Sequence, residues 1–196
     1  MRHVARRLLP LAALLLGILL IGGIASAEPT TKVFDAKNFK WTVPEGWELA
    51  DASAGAQESG YVIRATARKD DAYVVADVRV VPTEGLSIQE ISDEVRNWHS
   101  QQMTTLQGSK TREGSLSGVK GTEVLVKGED EAGTTKLVRA YTIEKSGSFH
   151  QLIFKLYNGA DTTMAGQVDA ARRGYRLLKG AGPMEQAESM PLSLIH

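Results

Sequence analysis

The chain has 196 residues, of which 42% are hydrophobic and 23% are charged, with 23 basic and 23 acidic side chains. This is an ordinary globular composition with enough length for one well-buried core, and the balanced charge does not indicate a nucleic-acid-binding protein. The chain has no cysteine, which excludes disulfides, thiolate catalysis, cysteine-ligated metals and a lipid-modified N-terminal cysteine.

The first 27 residues have the pattern of an export signal. Three arginines within the first seven residues precede an apolar run over residues 8–24, and the small residues 25–27 follow. This pattern predicts a signal peptide, residues 1–27, whose cleavage leaves Glu28 as the mature N-terminus. The alternative is an uncleaved helix, residues 8–24, that anchors the protein in the inner membrane. That helix would be about 25 Å long, short of a hydrocarbon core of about 30 Å, so we favour cleavage and an exported, periplasmic or extracellular protein.

Strand patterns dominate the first third of the mature chain. After a polar lead-in over residues 28–37, residues 39–43 alternate between apolar and polar side chains, which predicts a half-buried strand. A Pro-x-Gly-Trp turn follows at residues 44–47 and leads into a second short apolar run. The remaining predictions for this part are a loop over residues 51–60 and strands over 61–68 and 73–81.

The next segment carries a well-specified helix start. Ser87 and Glu90 have the spacing of a capping box, and Leu86 and Ile91 have the spacing of a hydrophobic staple. The apolar spacing predicts a helix that continues toward Leu106 and stops at Gly108. We expect its buried face to point to a sheet through Ile91, Val95 and Trp98.

The rest of the chain predicts a β-meander and a final helix. Turn residues at 117–118, 128–133 and 146–147 separate four predicted antiparallel strands over residues 110–157. Asp161 is a candidate cap for a helix with an apolar stripe of Met164, Val168, Ala171, Tyr175 and Leu178, ended by Gly180. We expect residues 181–196 to form a disordered tail. We hypothesise that residues 192–196 are a sequencing scar, encoded by the end of a sequencing-library transposon rather than by the native gene.

These elements define one α+β domain over residues 28–180, with a single antiparallel sheet of about six to eight strands packed against two α-helices. The strand and Pro-x-Gly-Trp turn at residues 39–47, followed by a β-rich body, resemble the N-terminal signature of the PsbP-like/DcrB-like superfamily. The resemblance spans residues 34–179. It implies a PsbP-like sandwich that serves as an extrinsic subunit, adaptor or binding module, mostly without catalysis, with contacts through a sheet edge or a helix face. No binding residue of the family maps onto the chain unambiguously.

The search for reactive groups gives no catalytic, metal or cofactor site. The segment 114–118 has Leu where a G-x-S-x-G hydrolase has its nucleophile, so it predicts a turn. His99 and His150 lack zinc-ligand spacing and are interpreted as structural or solvated, and Trp41, Trp47 and Trp98 are interpreted as core residues. Two acidic groups, residues 70–71 and 129–131, lack calcium-loop spacing and are interpreted as solvated turns.

The sequence therefore favours an exported, non-enzymatic binding or accessory protein of the cell envelope with a protein partner. Two alternatives stay open. One is a membrane-tethered envelope assembly or stress factor, and the other is a hydrolase that brings together Asp70, Asp77 and Glu123. A basic cluster on the final helix is explained by the helix dipole, and a second interpretation is a docking face for an acidic partner or a membrane surface; its members are Arg172, Arg173, Arg176 and Lys179.

Cleavage after Ala27 makes a direct prediction. The protein isolated from its native cell envelope should have Glu28 as its first residue, because the signal helix is removed during export. Intact-mass and N-terminal peptide mass spectrometry measure this. Recovery of peptides from residues 1–27 in the mature protein would instead support the tethered alternative.

Overall fold

The computed structural model describes residues 28–178, so the predicted signal peptide, the predicted anchor at 8–24 and the predicted tail at 181–196 lie outside the described residues. The predicted boundaries between the signal peptide, the domain and the tail therefore remain predictions. The described elements, in chain order, are β1 (Thr30–Phe34), β2 (Phe39–Val43), β3 (Glu48–Asp51), α1 (Ala54–Glu58), β4 (Tyr61–Lys69), β5 (Ala72–Pro82), α2 (Ile88–Gln101), β6 (Thr105–Leu116), β7 (Val119–Glu129), β8 (Thr135–Lys145), β9 (Ser148–Tyr157), α3 (Ala160–Thr163), α4 (Ala165–Gly174) and β10 (Tyr175–Leu177).

Seven strands form one large antiparallel sheet in the order β3-β4-β5-β9-β8-β7-β6. The meander predicted for residues 110–157 is confirmed as β6 to β9. Two of its hairpins turn on Ser-Gly pairs at residues 117–118 and 146–147, where both residues have positive φ. Two positive φ values in a two-residue turn match the right-handed twist of the paired strands, and serine followed by glycine tolerates this conformation.

A second sheet of three strands, in the order β1-β2-β10, lies over one face of the large sheet. Its strand β2 comes from the beginning of the domain and its strand β10 comes from the end. These two strands pair with each other in an antiparallel arrangement. Phe39 and Tyr175 stack with ring centroids 5.1 Å apart, and the indole Nε1 of the fully buried Trp41 donates to the Ala171 carbonyl at 2.9 Å. This contact ties β2 to α4 and closes the core.

The helix α2 covers the other face of the large sheet, mainly over β6, β7 and β8. Ser87 caps it with the predicted capping box, since its side chain accepts from the Glu90 backbone and Glu90 accepts from the Ser87 backbone. Ile91 and Val95 are buried as predicted.

The structure is thus the predicted α+β sandwich. Its large sheet has seven strands, inside the predicted range of six to eight, and its small sheet is absent from the prediction.

Two local predictions near the N-terminus are wrong. The polar lead-in over residues 28–37 contains β1, which pairs along its whole length with β2. The predicted loop over residues 51–60 contains the short helix α1. The pattern misses both because neither element has a buried side chain, so their formation depends on pairing and hydrogen bonding rather than on an apolar face.

Both predicted helix ends are also wrong. Helix α2 ends at Gln101 rather than near Leu106, because the backbone N–H of Thr104 donates to the Glu129 carbonyl and the chain continues as β6 beside β7. The final helix is broken at Met164 and ends at Gly174, and Tyr175 begins a strand rather than a further helical turn. Sheet pairing of β10 with β2 overrides the helical spacing there.

Within the described residues 28–178, none of the helices has the length and apolar character needed to cross a bilayer.

The two glycines of α4 should respond in opposite ways to alanine. A Cβ at Gly166 would have no atom within 4 Å, whereas a Cβ at Gly174 would lie 1.9 Å from the Thr42 carbonyl oxygen of β2. We expect Gly166→Ala to raise the free energy of unfolding by roughly 0.5–1 kcal/mol and Gly174→Ala to lower it by about 2 kcal/mol or more. Urea denaturation, monitored by circular dichroism, measures the free energy of unfolding of both variants. Equal effects of the two substitutions would contradict the close approach of α4 to β2.

Candidate functional site: a cleft on the uncovered half of the large sheet

The incomplete cover provided by α2 leaves part of the large sheet accessible. We define the open face as the outward side of β4, β5 and β9 beside α2, formed by Arg64, Thr66, Val75, Asp77 and Lys155. A cleft of about 520 Å³ lies over it. Its walls are the β3–α1 segment and the last turns of α2, and its lining comprises Ala50, Asp51, Ala52, Ser53, Ala56, Tyr61, Arg64, Asp77, Trp98, Gln102 and Lys155.

A buried carboxylate with two cations forms the floor of the cleft. The Asp77 side chain is only 3% exposed. Arg64 donates to it through Nε at 2.7 Å and Nη2 at 3.2 Å, and Lys155 donates through Nζ at 2.9 Å. The sheet register places these groups together, since Arg64 is directly opposite Asp77 and Lys155 is two residues along β9 from the partner of Asp77. The hydrogen bonds that Arg64 donates to Asp77 raise the pKa of Arg64 above its ordinary value.

An aromatic pair stands at the rim of the cleft. Trp98 lies on the flank of α2 and is 57% exposed, so the prediction that it faces the sheet is wrong. The buried residues of α2 are Ile91, Ser92, Val95 and His99, and position 98 lies about 75° from the centre of this stripe, at its edge. Tyr61 lies next to Trp98 in the cleft lining, with the Arg79 guanidinium 5.9 Å from its ring centroid. Trp41 and Trp47 are core residues as predicted.

A ladder of cations and tyrosines bounds the open face on one side. Arg68, Tyr73, Tyr157 and Lys136 are directly opposite one another across β4, β5, β9 and β8. The two tyrosine rings stack with centroids 4.2 Å apart, and burial is the main reason that the pKa of Tyr157 rises to about 12. Each ring has a cation on its outer side, so this ladder has a structural role in fixing the face.

His99 lies beneath the rim, in a smaller cavity that also shares Tyr61 and Trp98. Its side chain is buried and its Nδ1 atom has no hydrogen-bond partner. Burial, together with the charges of Lys155 and Lys136, lowers the pKa of His99 to about 4. His150 lies on the opposite face of the sheet, where its Nδ1 is 2.7 Å from the Tyr175 hydroxyl and burial lowers its pKa to about 4. Both histidines are therefore neutral at neutral pH, and they cannot share a ligand.

The structure does not bring the three carboxylates of the hydrolase hypothesis together. The register places Asp77 in line with Ile153, on the face that α2 partly covers. Glu123 is in line with Tyr141 and Leu152, which belong to the core between the two sheets. Asp70 lies in the turn between β4 and β5.

The other charged groups found in the sequence have local partners. Asp130 accepts from the backbone N–H groups of residues 132 and 134 in the turn between β7 and β8, as a hairpin tip does. Arg172 and Arg173 both pair with Asp169, so this carboxylate partly neutralises the predicted basic face. Lys179 lies outside the described residues. Within residues 28–178, no three His, Asp or Glu side chains are close enough to hold a metal ion.

Sequence reasoning missed the cleft. Its lining comes from β3, α1, β4, β5, α2 and β9, and no pattern at one place in the chain reports such a site. One signal was available in β5, where the acidic and basic residues Asp77 and Arg79 interrupt a run of valines in the middle of a long strand. A charge at such a position requires either solvent or a partner, and Arg64 and Lys155 are those partners.

Known structures share this fold at low sequence identity. LpqN, involved in cell envelope biogenesis of Mycobacterium tuberculosis, superposes with a TM-score of 0.52 at 12% identity over 76% of this chain and 85% of its own. The cyanobacterial PsbP protein (CyanoP) from Synechocystis sp. PCC 6803 superposes with a TM-score of 0.52 at 13% identity over 80% of this chain and 96% of its own. No family profile and no curated protein sequence matches the chain. The fold is therefore PsbP-like, which confirms the fold suggested by the resemblance at residues 39–47.

The two buried histidines predict an acid-sensitive fold. Their pKa values of about 4 lie below the ordinary histidine value of 6.5, so the unfolded chain binds more protons than the folded chain between about pH 4 and pH 6.5, and stability falls as the pH is lowered. We expect each histidine to reduce the free energy of unfolding by roughly 2 kcal/mol between about pH 7.5 and about pH 5.

Urea denaturation at the two pH values measures this loss. His99→Gln should remove about half of the pH-dependent loss even if it lowers stability at both pH values, because glutamine does not titrate. A pH-dependent loss of the same size in wild type and in His99→Gln would contradict the burial of a neutral His99.

Proposed function

We propose that this protein is an exported, non-catalytic binding or accessory module of the cell envelope, and that a protein partner docks at the rim of the cleft. The observation that carries the proposal is the exposed Trp98. A large aromatic side chain that is 57% exposed beside a cleft is a common anchor for protein contacts, since burial of such a ring in an interface contributes strongly to binding.

Three further features support this function. The N-terminal segment has the pattern of an export signal, and LpqN, which shares the fold, is involved in cell envelope biogenesis. The floor of the cleft pairs its carboxylate with two cations, so Asp77 has the environment of a structural ion pair rather than that of an unpaired general base. The tethered form, with residues 8–24 retained, would present the same rim to the same partner.

Site-specific photo-crosslinking in the native organism tests the proposal. A photoreactive phenylalanine in place of Trp98 keeps an aromatic ring at the rim, and the same residue in place of Val33 is the matched control. Val33 is 52% exposed and lies on β1, in the small sheet on the other side of the molecule.

We expect a discrete protein adduct from position 98 that is at least about fivefold stronger than any adduct from position 33, because anchor residues lie at the centre of an interface. Mass spectrometry of the adduct identifies the partner. Equal labelling from both positions, or no adduct from position 98 in a protein that is exported normally, would contradict docking at this rim.

A further inference from the structure

The floor of the cleft carries binding groups that a protein docked at the rim would leave unused. Arg64 uses two of its five N–H groups on Asp77, and its side chain is 52% exposed. Lys155 uses one of its three N–H groups on Asp77. The remaining groups lie on the floor of the same cleft, beneath Tyr61 and Trp98.

Asp77 holds both cations in place without cancelling them. The cluster of Arg64, Lys155 and Asp77 has a net charge of one positive unit, from two cations and one carboxylate. Because each cation is fixed by a bond to the same buried carboxylate, an incoming anion would meet donors that are already oriented.

The surroundings of this cluster add positive charge. Lys136 is 93% buried, since its exposed fraction is 7%, and its Nζ is 3.5 Å from the neutral Gln102 side chain. Within residues 28–178 no carboxylate forms an ion pair with Lys136. The other acidic residue in the cleft lining, Asp51, is paired with Lys32.

The upper part of the cleft offers an apolar contact. Trp98, Tyr61 and the small side chains of Ala50, Ala52 and Ala56 all contribute to its lining. A volume of about 520 Å³ lies within the usual range for small-molecule sites. The combination of a cationic floor with an aromatic and aliphatic wall matches a ligand that has one anionic end and one apolar end.

We propose that the cleft binds a small amphiphilic anion, whose carboxylate or phosphate group is held by Arg64 and Lys155 and whose apolar body lies against Trp98 and Tyr61. The proposed ligand is a single free molecule inside the cleft, not the surface of a membrane. This inference goes beyond the proposed function, because it concerns a small ligand whose anionic group binds the floor of the cleft, and it requires no protein partner.

Titration of the purified mature chain with four eight-carbon probes tests the proposal. The probes are octyl phosphate, octanoate, octanol and octylammonium, and calorimetry measures their affinities below their micelle concentrations. We expect both anions to bind in a saturable manner and the neutral and cationic probes to bind at least about tenfold more weakly, because only the anions bring a negative charge to the two cations. The tighter of the two anions identifies the headgroup as a phosphate or a carboxylate.

The fluorescence of Trp98 gives an independent signal. Trp41 and Trp47 are buried, so a change in tryptophan emission on addition of an anion reports the exposed Trp98. We expect emission to shift to shorter wavelength as the apolar body covers the ring. Trp98→Ala should weaken the binding of both anions, whereas Leu86→Ala, which alters another exposed side chain near the start of α2, should leave it unchanged.

The chain offers a matched control for the loss of a floor cation. Arg64→Gln removes a 52% exposed arginine from a buried Asp77 that keeps Lys155, and Arg112→Gln removes a 53% exposed arginine from a buried Glu123 that keeps Arg139. Both variants leave one cation on a buried carboxylate, so we expect similar losses of stability. Only Arg64→Gln should weaken anion binding, by about tenfold or more.

Several results would overturn the proposal. They are the absence of saturable binding by either anion, equal affinity for octanol, an equal loss of affinity in Arg112→Gln, and binding to phosphatidylglycerol vesicles without binding to the single anions. If Arg64→Gln does not fold, the comparison of Trp98→Ala with Leu86→Ala decides the question. An absence of anion binding in these titrations would not affect the result of the crosslinking experiment at position 98. The two proposals can therefore fail separately.

Discussion

Burial of the inner face of the large sheet between two layers is the constraint on which the rest of the structure depends. Phe39 and Trp41 from β2 and Tyr175 from β10 are fully buried against that face. Because these strands come from opposite ends of the domain, the core closes only when both ends are in place, and the bond from Trp41 to Ala171 fixes their relative position. Each fully buried aromatic side chain of this kind contributes several kcal/mol, roughly 3–5 by the usual effect of truncation to alanine.

The outer face of the same sheet shows the opposite situation. Helix α2 covers the strands β6 to β8, and the residues beside it on β4, β5 and β9 have to be stable next to solvent. Asp77 is nevertheless almost completely buried there, and a buried carboxylate without cations would destabilise the fold by several kcal/mol, roughly 3–5. Arg64 and Lys155 satisfy this need and at the same time produce a rigid, net positive floor. A structural requirement has thus created a surface with the chemistry of a binding site.

The site was predictable only in its parts. The export pattern and the absence of reactive motifs follow from residue types that are adjacent in the chain, and so does the capping box of Ser87 and Glu90. The helical spacing from Ile91 and Val95 is compatible with a buried Trp98, yet a one-residue shift of the buried stripe gives that place to His99. The rotation of α2 about its own axis decides between the two, and that rotation depends on contacts with β6, β7 and β8 that are distant in sequence.

The sequence by itself determined the elements whose signals are local: the hairpins of the meander, the start of α2 and the strand followed by Pro44 and Gly46. Their conformations depend on turn geometry and on neighbouring side chains, which a linear pattern contains. Only the tertiary structure decided that a second sheet forms and that the chain leaves its last helix at Gly174. It also decided that Asp77 and Glu123 lie on opposite faces. These features depend on which strands pair and on the distance between backbones, such as the approach of Gly174 to Thr42, and pairing between the two ends of a chain leaves no periodic trace in either end.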